Sequence, residues 1–168
     1  INISSVYSGG SFSPDSKQRP DGSLPWRDTH LKVEGPVVAD FQALFLASWV
    51  KQKGELQARS GPPPVPAARG KEVVRAIGSS PEEPYSQIYA TLMSAIGSAE
   101  TSVRLTNAYF APDPQLLDAL EAAAARGTEV TLILPSQTDS WLVFHAGRNH
   151  YERLLKAGVR IYERRGVI

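Results

Sequence analysis

The sequence predicts an α/β protein, a mixed and largely parallel sheet flanked by helices as an α-β-α sandwich. Three observations predict it. Short apolar runs with strand character recur at 27–34, 71–79, 102–107, 128–134 and 159–163; the segments between most of them carry apolar residues at helical spacing; and Gly, Pro and Asp punctuate the joins. Strands that alternate with helix-length connections lie parallel, because a parallel pair needs a long crossover where an antiparallel pair needs only a turn. At 168 residues the chain reads as one domain spanning 1–168, long enough to bury a core without metal or disulfide staples.

Taken in order, residues 8–25 are rich in Ser, Gly, Pro and Asp and predict an exposed loop. The 27–34 segment alternates, with Leu31 and Val33 on one face and Asp28, His30, Lys32 and Glu34 on the other. Gly35-Pro36 ends that strand and opens a helix, since Pro costs nothing in a first turn where its missing N–H has no partner. Val37, Phe41, Leu44, Phe45 and Trp49 then recur at helical spacing to about Lys53. Residues 54–70 hold four prolines, which excludes regular helix or central strand and predicts a surface linker.

After the strand at 71–79, Tyr85, Ile88, Tyr89, Leu92, Met93 and Ile96 predict a second helix. Asp113 is placed to cap a helix opened by Pro114, a further helix starts near Asp139, and Gly127 and Gly158 sit where helices stop. Leu31, Val33, Val103, Leu105, Leu132 and Ile133 are the expected buried sheet residues.

Composition removes several functions. Lys and Arg number 18 against 17 Asp and Glu, a net charge of +1, so nothing global favours a nucleic-acid partner. With no Cys there are no disulfides, thiolate nucleophiles or Cys-based zinc sites, and no apolar run approaches a membrane span. The three histidines, His30, His145 and His150, form no helical ligand pair, so no metal or other cofactor is expected. Gly70-Lys71 lacks the phosphate-loop spacing and is followed by Glu72, and there is no G-x-S-x-G elbow.

His30-Leu31-Lys32 opens like H-x-K-x-x-x-x-D, a phosphodiesterase signature, but Val37 stands where the Asp belongs. The surroundings are more informative. Ile1-Asn2-Ile3-Ser4, then Trp26, Asp28, His30, Gly35, Pro36 and Val38, then Thr106 to Asp113 (TNAYFAPD), then Leu134-Pro135 with Thr138-Asp139, and finally Ala157 to Glu163 (AGVRIYE) follow one another in a recognisable order. In this order they resemble the phospholipase D superfamily, most closely its bacterial cardiolipin synthase-like members. The departures are Val37 for the usual Ala and Ala108 for the usual Pro.

That resemblance implies a chain lying between two catalytic H-x-K-x-x-x-x-D motifs, so that the nucleophilic and acid histidines come from the rest of the parent protein and the chain by itself is inactive. Ile1, which is not an initiator Met, and the apolar Val167-Ile168 at the other end fit an excerpt. It also implies that Asp28 orients an active-site imidazole as a triad carboxylate does, that Asn2 holds a phosphoryl oxygen, and that Trp26, Tyr109 and Phe110 line a lipid-headgroup site. Thr138 and Asp139 read as a helix cap, and Arg148, Arg153, Arg160, Arg164 and Arg165 as a solvated face before an anionic-lipid surface.

The implied activity is a phosphatidyltransferase acting on phospholipid through a phosphohistidine. The parent would then be membrane-associated in a bacterial cell, with peripheral membrane contact, and this segment soluble. A nuclease or other phosphodiesterase of the superfamily, or a non-catalytic binding domain, are the rival readings.

Overall fold

The computed structural model of the chain describes residues 29–55, 66–80, 82–138 and 140–164. The chain divides into two compact units: His30–Ala90 is one, and the residues from Thr91 onward belong to the other. The loop at 8–25 lies outside the described residues, as does most of the Pro-rich linker.

The second unit holds the sheet. β1 (Ser102–Thr106), β2 (Glu129–Pro135) and β3 (Arg160–Arg164) run parallel in the order β1-β2-β3. Val103 is level with Val130 and Leu105 with Leu132, while Leu132 is level with Ile161 and Leu134 with Glu163. Connections run through α3 (Pro114–Ala125) from β1 to β2, and through α4 (Trp141–Arg148) and α5 (Tyr151–Lys156) from β2 to β3. α2 (Gln87–Ser98) precedes β1 and contributes Ile96 to the core.

The helices stop and start where local chemistry dictates. Asp113 accepts a hydrogen bond on Oδ1 from the Leu116 N–H at 2.8 Å, with Pro114 in the first turn of α3. Gly127 and Gly158 take φ of 90° and 92°, the left-handed conformation in which a side chain would be strained, and so let the chain leave α3 and α5 for β2 and β3. The end of α2 is capped from afar: Arg126 Nη2 donates to the carbonyls of Ile96 and Gly97 at 3.2 and 3.0 Å. Buried Thr128 is satisfied by donating to the Ala99 carbonyl at 2.9 Å.

One face of the sheet carries the core. Val103, Val130, Leu132 and Leu134 pack with Leu117, Leu120 and Ala123 of α3 and with Leu154 of α5. Each of the Val and Leu side chains contributes about 1.5–3 kcal/mol when removed from water. The other face is mainly polar, and there Arg160 pairs across the strands with Glu129 at 3.1 Å. Ile133 belongs to this second face and is 36% exposed, which corrects the expectation that it is buried. Period-two alternation along β2 sends Leu132 and Leu134 inward and Ile133 out.

The first unit departs further from expectation. Neither residues 29–34 nor residues 71–79 form a strand; Leu31 is 85% and Val73 99% exposed. Alternating sequence makes a strand only where another backbone supplies the hydrogen-bond ladder, and among the described residues these segments pair with none. α1 (Val37–Lys51) forms as predicted behind Gly35-Pro36, with Pro36 at its N-cap. None of its residues is buried, although Phe45 stacks on Trp49 with centroids 6.0 Å apart. The helix expected from about Asp139 is two helices, broken at Asn149-His150, and its N-cap is Ser140 instead of Thr138; Asp139 lies outside the described residues. Thr138 Oγ1 instead accepts from the Ser140 N–H at 3.3 Å.

Candidate active-site crevice

Open parallel sheets bind ligands outside the carboxyl ends of their strands, where the connecting loops diverge. In the sheet unit two loops meet there, residues 107–113 after β1 and residues 136–138 after β2. The ladders carry both into position: the Asn107 N–H donates to the Ile133 carbonyl at 3.2 Å, and the Ser136 N–H to the Arg164 carbonyl at 2.9 Å.

The first loop folds on itself. Asn107 Oδ1 accepts from the Tyr109 N–H at 3.0 Å, an Asx turn, and the Ala111 N–H donates to the Tyr109 carbonyl at 3.1 Å. These bonds divide the aromatic pair. Phe110 is 6% exposed and part of the core, whereas Tyr109 is 45% exposed at the crest of the loop. Under the crest, Phe110, Pro135, Thr138, Phe144 and Gly147 enclose about 20 Å³, room for about one water and not for a headgroup. Tyr109 is the aromatic of the pair that faces solvent at this edge.

α4, α5 and β3 supply a network with no signal in the sequence, because Glu163 stands 12 and 15 residues from its two partners. Arg148 grips Glu163 through Nε–Oε1 at 2.9 Å and Nη2–Oε2 at 2.6 Å, and its guanidinium lies 4.5 Å from the centre of the Phe144 ring. The Tyr151 hydroxyl donates to Glu163 Oε1 at 3.3 Å. The hydrogen bond to Glu163 holds the Arg148 guanidinium above its ordinary pKa. Burial first, and then the Glu163 charge, push Tyr151 up as well.

Two further arginines of the cluster are paired. Arg153 bonds Glu121 and Asp118 of α3, each at 2.6 Å, and Arg160 takes Glu129. These guanidinium groups stand half-exposed at the surface in ion pairs with carboxylates; Arg165 lies outside the described residues.

Of the residues singled out in the sequence, Asn2, Trp26 and Asp28 lie outside the described residues. Tyr109 and Phe110 stand together at the carboxyl edge, one outward and one inward. His30 is exposed in the first unit. Among the described residues no helix is long and apolar enough to cross a membrane.

The sequence profile of the family described as "Cardiolipin synthase, PLD-like domain" matches residues 92–167, which include the three strands and α3 to α5. The cardiolipin synthase of Alkalihalophilus pseudofirmus is 38% identical over 140 residues, which is 82% of this chain and 28% of that protein. The chain belongs to the phospholipase D superfamily, among its cardiolipin synthase-like members.

Further cardiolipin synthase relatives show the same proportion. The enzyme of Geobacillus thermodenitrificans is 37% identical over 82% of this chain and 28% of its own length, and cardiolipin synthase 2 of Bacillus anthracis is 36% identical over 82% and 27%. The chain thus spans little more than a quarter of the length of the curated relatives it matches. Among solved structures, a polyphosphate kinase from Porphyromonas gingivalis aligns with 49% of this chain and 12% of its own at a TM-score of 0.34 and 23% identity, too little to bear on the phospholipase D-like assignment.

Proposed function

We propose that this chain is the central part of a phosphatidyltransferase of the phospholipase D superfamily, which moves a phosphatidyl group from one phospholipid to a glycerol-type acceptor through a phosphohistidine. The observation that carries the reading is the 38% identity to a cardiolipin synthase over 82% of the chain. The 168 residues contain no complete H-x-K-x-x-x-x-D, so the two imidazoles come from the rest of the protein.

In this reading one imidazole attacks phosphorus and the other protonates the departing oxygen, which requires one neutral and one charged ring at the same pH. Asp28 holds one of them in the correct tautomer and stabilises the charge it gains. Asn2 donates to a phosphoryl oxygen as negative charge builds there. Trp26 and Tyr109 contact the headgroup, and Phe110 supports Tyr109 from the core. Phospholipid in a bacterial membrane is the substrate, met from the membrane surface.

The test is product formation from labelled phosphatidylglycerol by the complete protein. Cardiolipin is the expected product, and Asp28→Asn should lower kcat by a factor that approaches the roughly four orders of magnitude seen for loss of a triad carboxylate. His30→Gln should keep most of the activity, because His30 lacks the Asp that would complete its own motif. Hydrolysis of a nucleic acid in place of lipid transfer would favour the nuclease reading. Wild-type rates in Asp28→Asn would remove that residue from the mechanism.

A further inference from the structure

We propose that Gly147 is a positioning residue of the crevice: its missing side chain lets α4 lie directly on the Phe110 backbone, and that contact sets where Tyr109 stands for phospholipid. The assignment rests on the transferase reading above. Gly147 is buried at the penultimate position of α4, where glycine lowers helix stability relative to alanine. Its place is explained by contact. A Cβ there would overlap the Phe110 carbonyl oxygen and come within 3.5 Å of the Phe110 carbonyl carbon and 3.6 Å of its Cδ1.

Neither partner can step aside freely. On the helix side the neighbouring Arg148 is fastened to β3 through its two-point grip on Glu163. On the loop side the Phe110 ring is locked in the core. The residue before it is held at both ends of its backbone, the Tyr109 N–H by Asn107 and the Tyr109 carbonyl by Ala111. The Phe110 carbonyl shares a peptide plane with the Ala111 N–H, so a shift of that carbonyl passes to Tyr109 through the Ala111–Tyr109 hydrogen bond. These loop bonds are between neutral groups and the grip on α4 is between charged ones, so the loop yields before the helix does.

The test is Gly147→Ala in the complete protein labelled with 3-fluorotyrosine, with the Tyr109 fluorine line assigned from Tyr109→Phe. The Tyr109 line should shift or broaden while that of Tyr162, on β3, stays in place. With phosphatidylglycerol as substrate, KM should rise by about tenfold or more with a smaller change in kcat, as misplacement of a substrate contact requires. On a Tyr109→Ala background the same substitution should change kcat/KM by less than about twofold, since its route of action is then gone.

An unmoved Tyr109 line, or an undiminished effect in the double variant, overturns the proposal. If Gly147→Ala does not fold, Arg148→Ala loosens α4 from β3 without adding atoms and should move the same line; no movement overturns the proposal equally. A wild-type protein that makes no lipid product defeats the transferase reading, and the fluorine lines still decide whether Gly147 sets the loop.

Discussion

α1 and β2 are both apolar segments, yet β2 is the centre of a core and no residue of α1 is fully buried. In β2, Val130, Leu132 and Leu134 are at most 1% exposed. In α1, Phe45 is 62% and Trp49 46% exposed, although the helix is apolar around most of its circumference. The difference lies in what each element is paired with. β2 has a hydrogen-bonded strand on either side and a helix above, so residues about thirty positions apart meet over it. α1 needs only its own backbone to form, and helix formation by itself removes little side-chain surface from water. Apolar content makes an element possible; long-range pairing turns it into a core.

Cutting the core puts this contrast under the heaviest load. Leu132→Ala, at a fully buried position, should lower the unfolding free energy by about 2–5 kcal/mol, measured by urea denaturation of the complete protein with a probe in the sheet unit. A loss no larger than that of a surface substitution would mean β2 is not the centre of packing. Asp113→Ala removes the cap of α3 and leaves the Leu116 N–H without its carboxylate, at a cost of about 1 kcal/mol in the same measurement. Asp113→Asn, which keeps an acceptor at the same reach, should recover most of it. The smallest effect belongs to Phe45→Ala on α1, expected to stay within about 0.5 kcal/mol. A cost comparable with that of Leu132→Ala would show that α1 is covered and would erase the contrast.

Part of the crevice is legible in the sequence. Asn107-Ala108-Tyr109-Phe110 after a strand points to the carboxyl edge, and both aromatics are there. Their division into one buried and one exposed ring is not legible, because it depends on the Asx turn at Asn107 and on what stands beneath the loop. The Arg148–Glu163–Tyr151 network and the Gly147 contact are also invisible in the sequence, since nothing local links α4 to β3 or to the Phe110 carbonyl. Roles for Asn2, Trp26 and Asp28 come from resemblance to the family's motifs.

Features that the backbone decides within a few residues can be read from the order of amino acids. The start of α1 behind Gly35-Pro36, the Asp113 cap, and the left-handed stops at Gly127 and Gly158 all follow from φ preferences and from a side chain reaching a nearby N–H. Which alternating segments become strands, and which apolar residues are covered, is settled by contacts between distant parts of the chain. Residues 29–34 and 71–79 alternate like strands but remain unpaired among the described residues, and Ile133 has the side chain of a core residue on the polar face of the sheet. A helix closes its hydrogen bonds within its own turns. A strand must borrow a neighbour's backbone, and a side chain is buried only when some distant part of the chain lies over it.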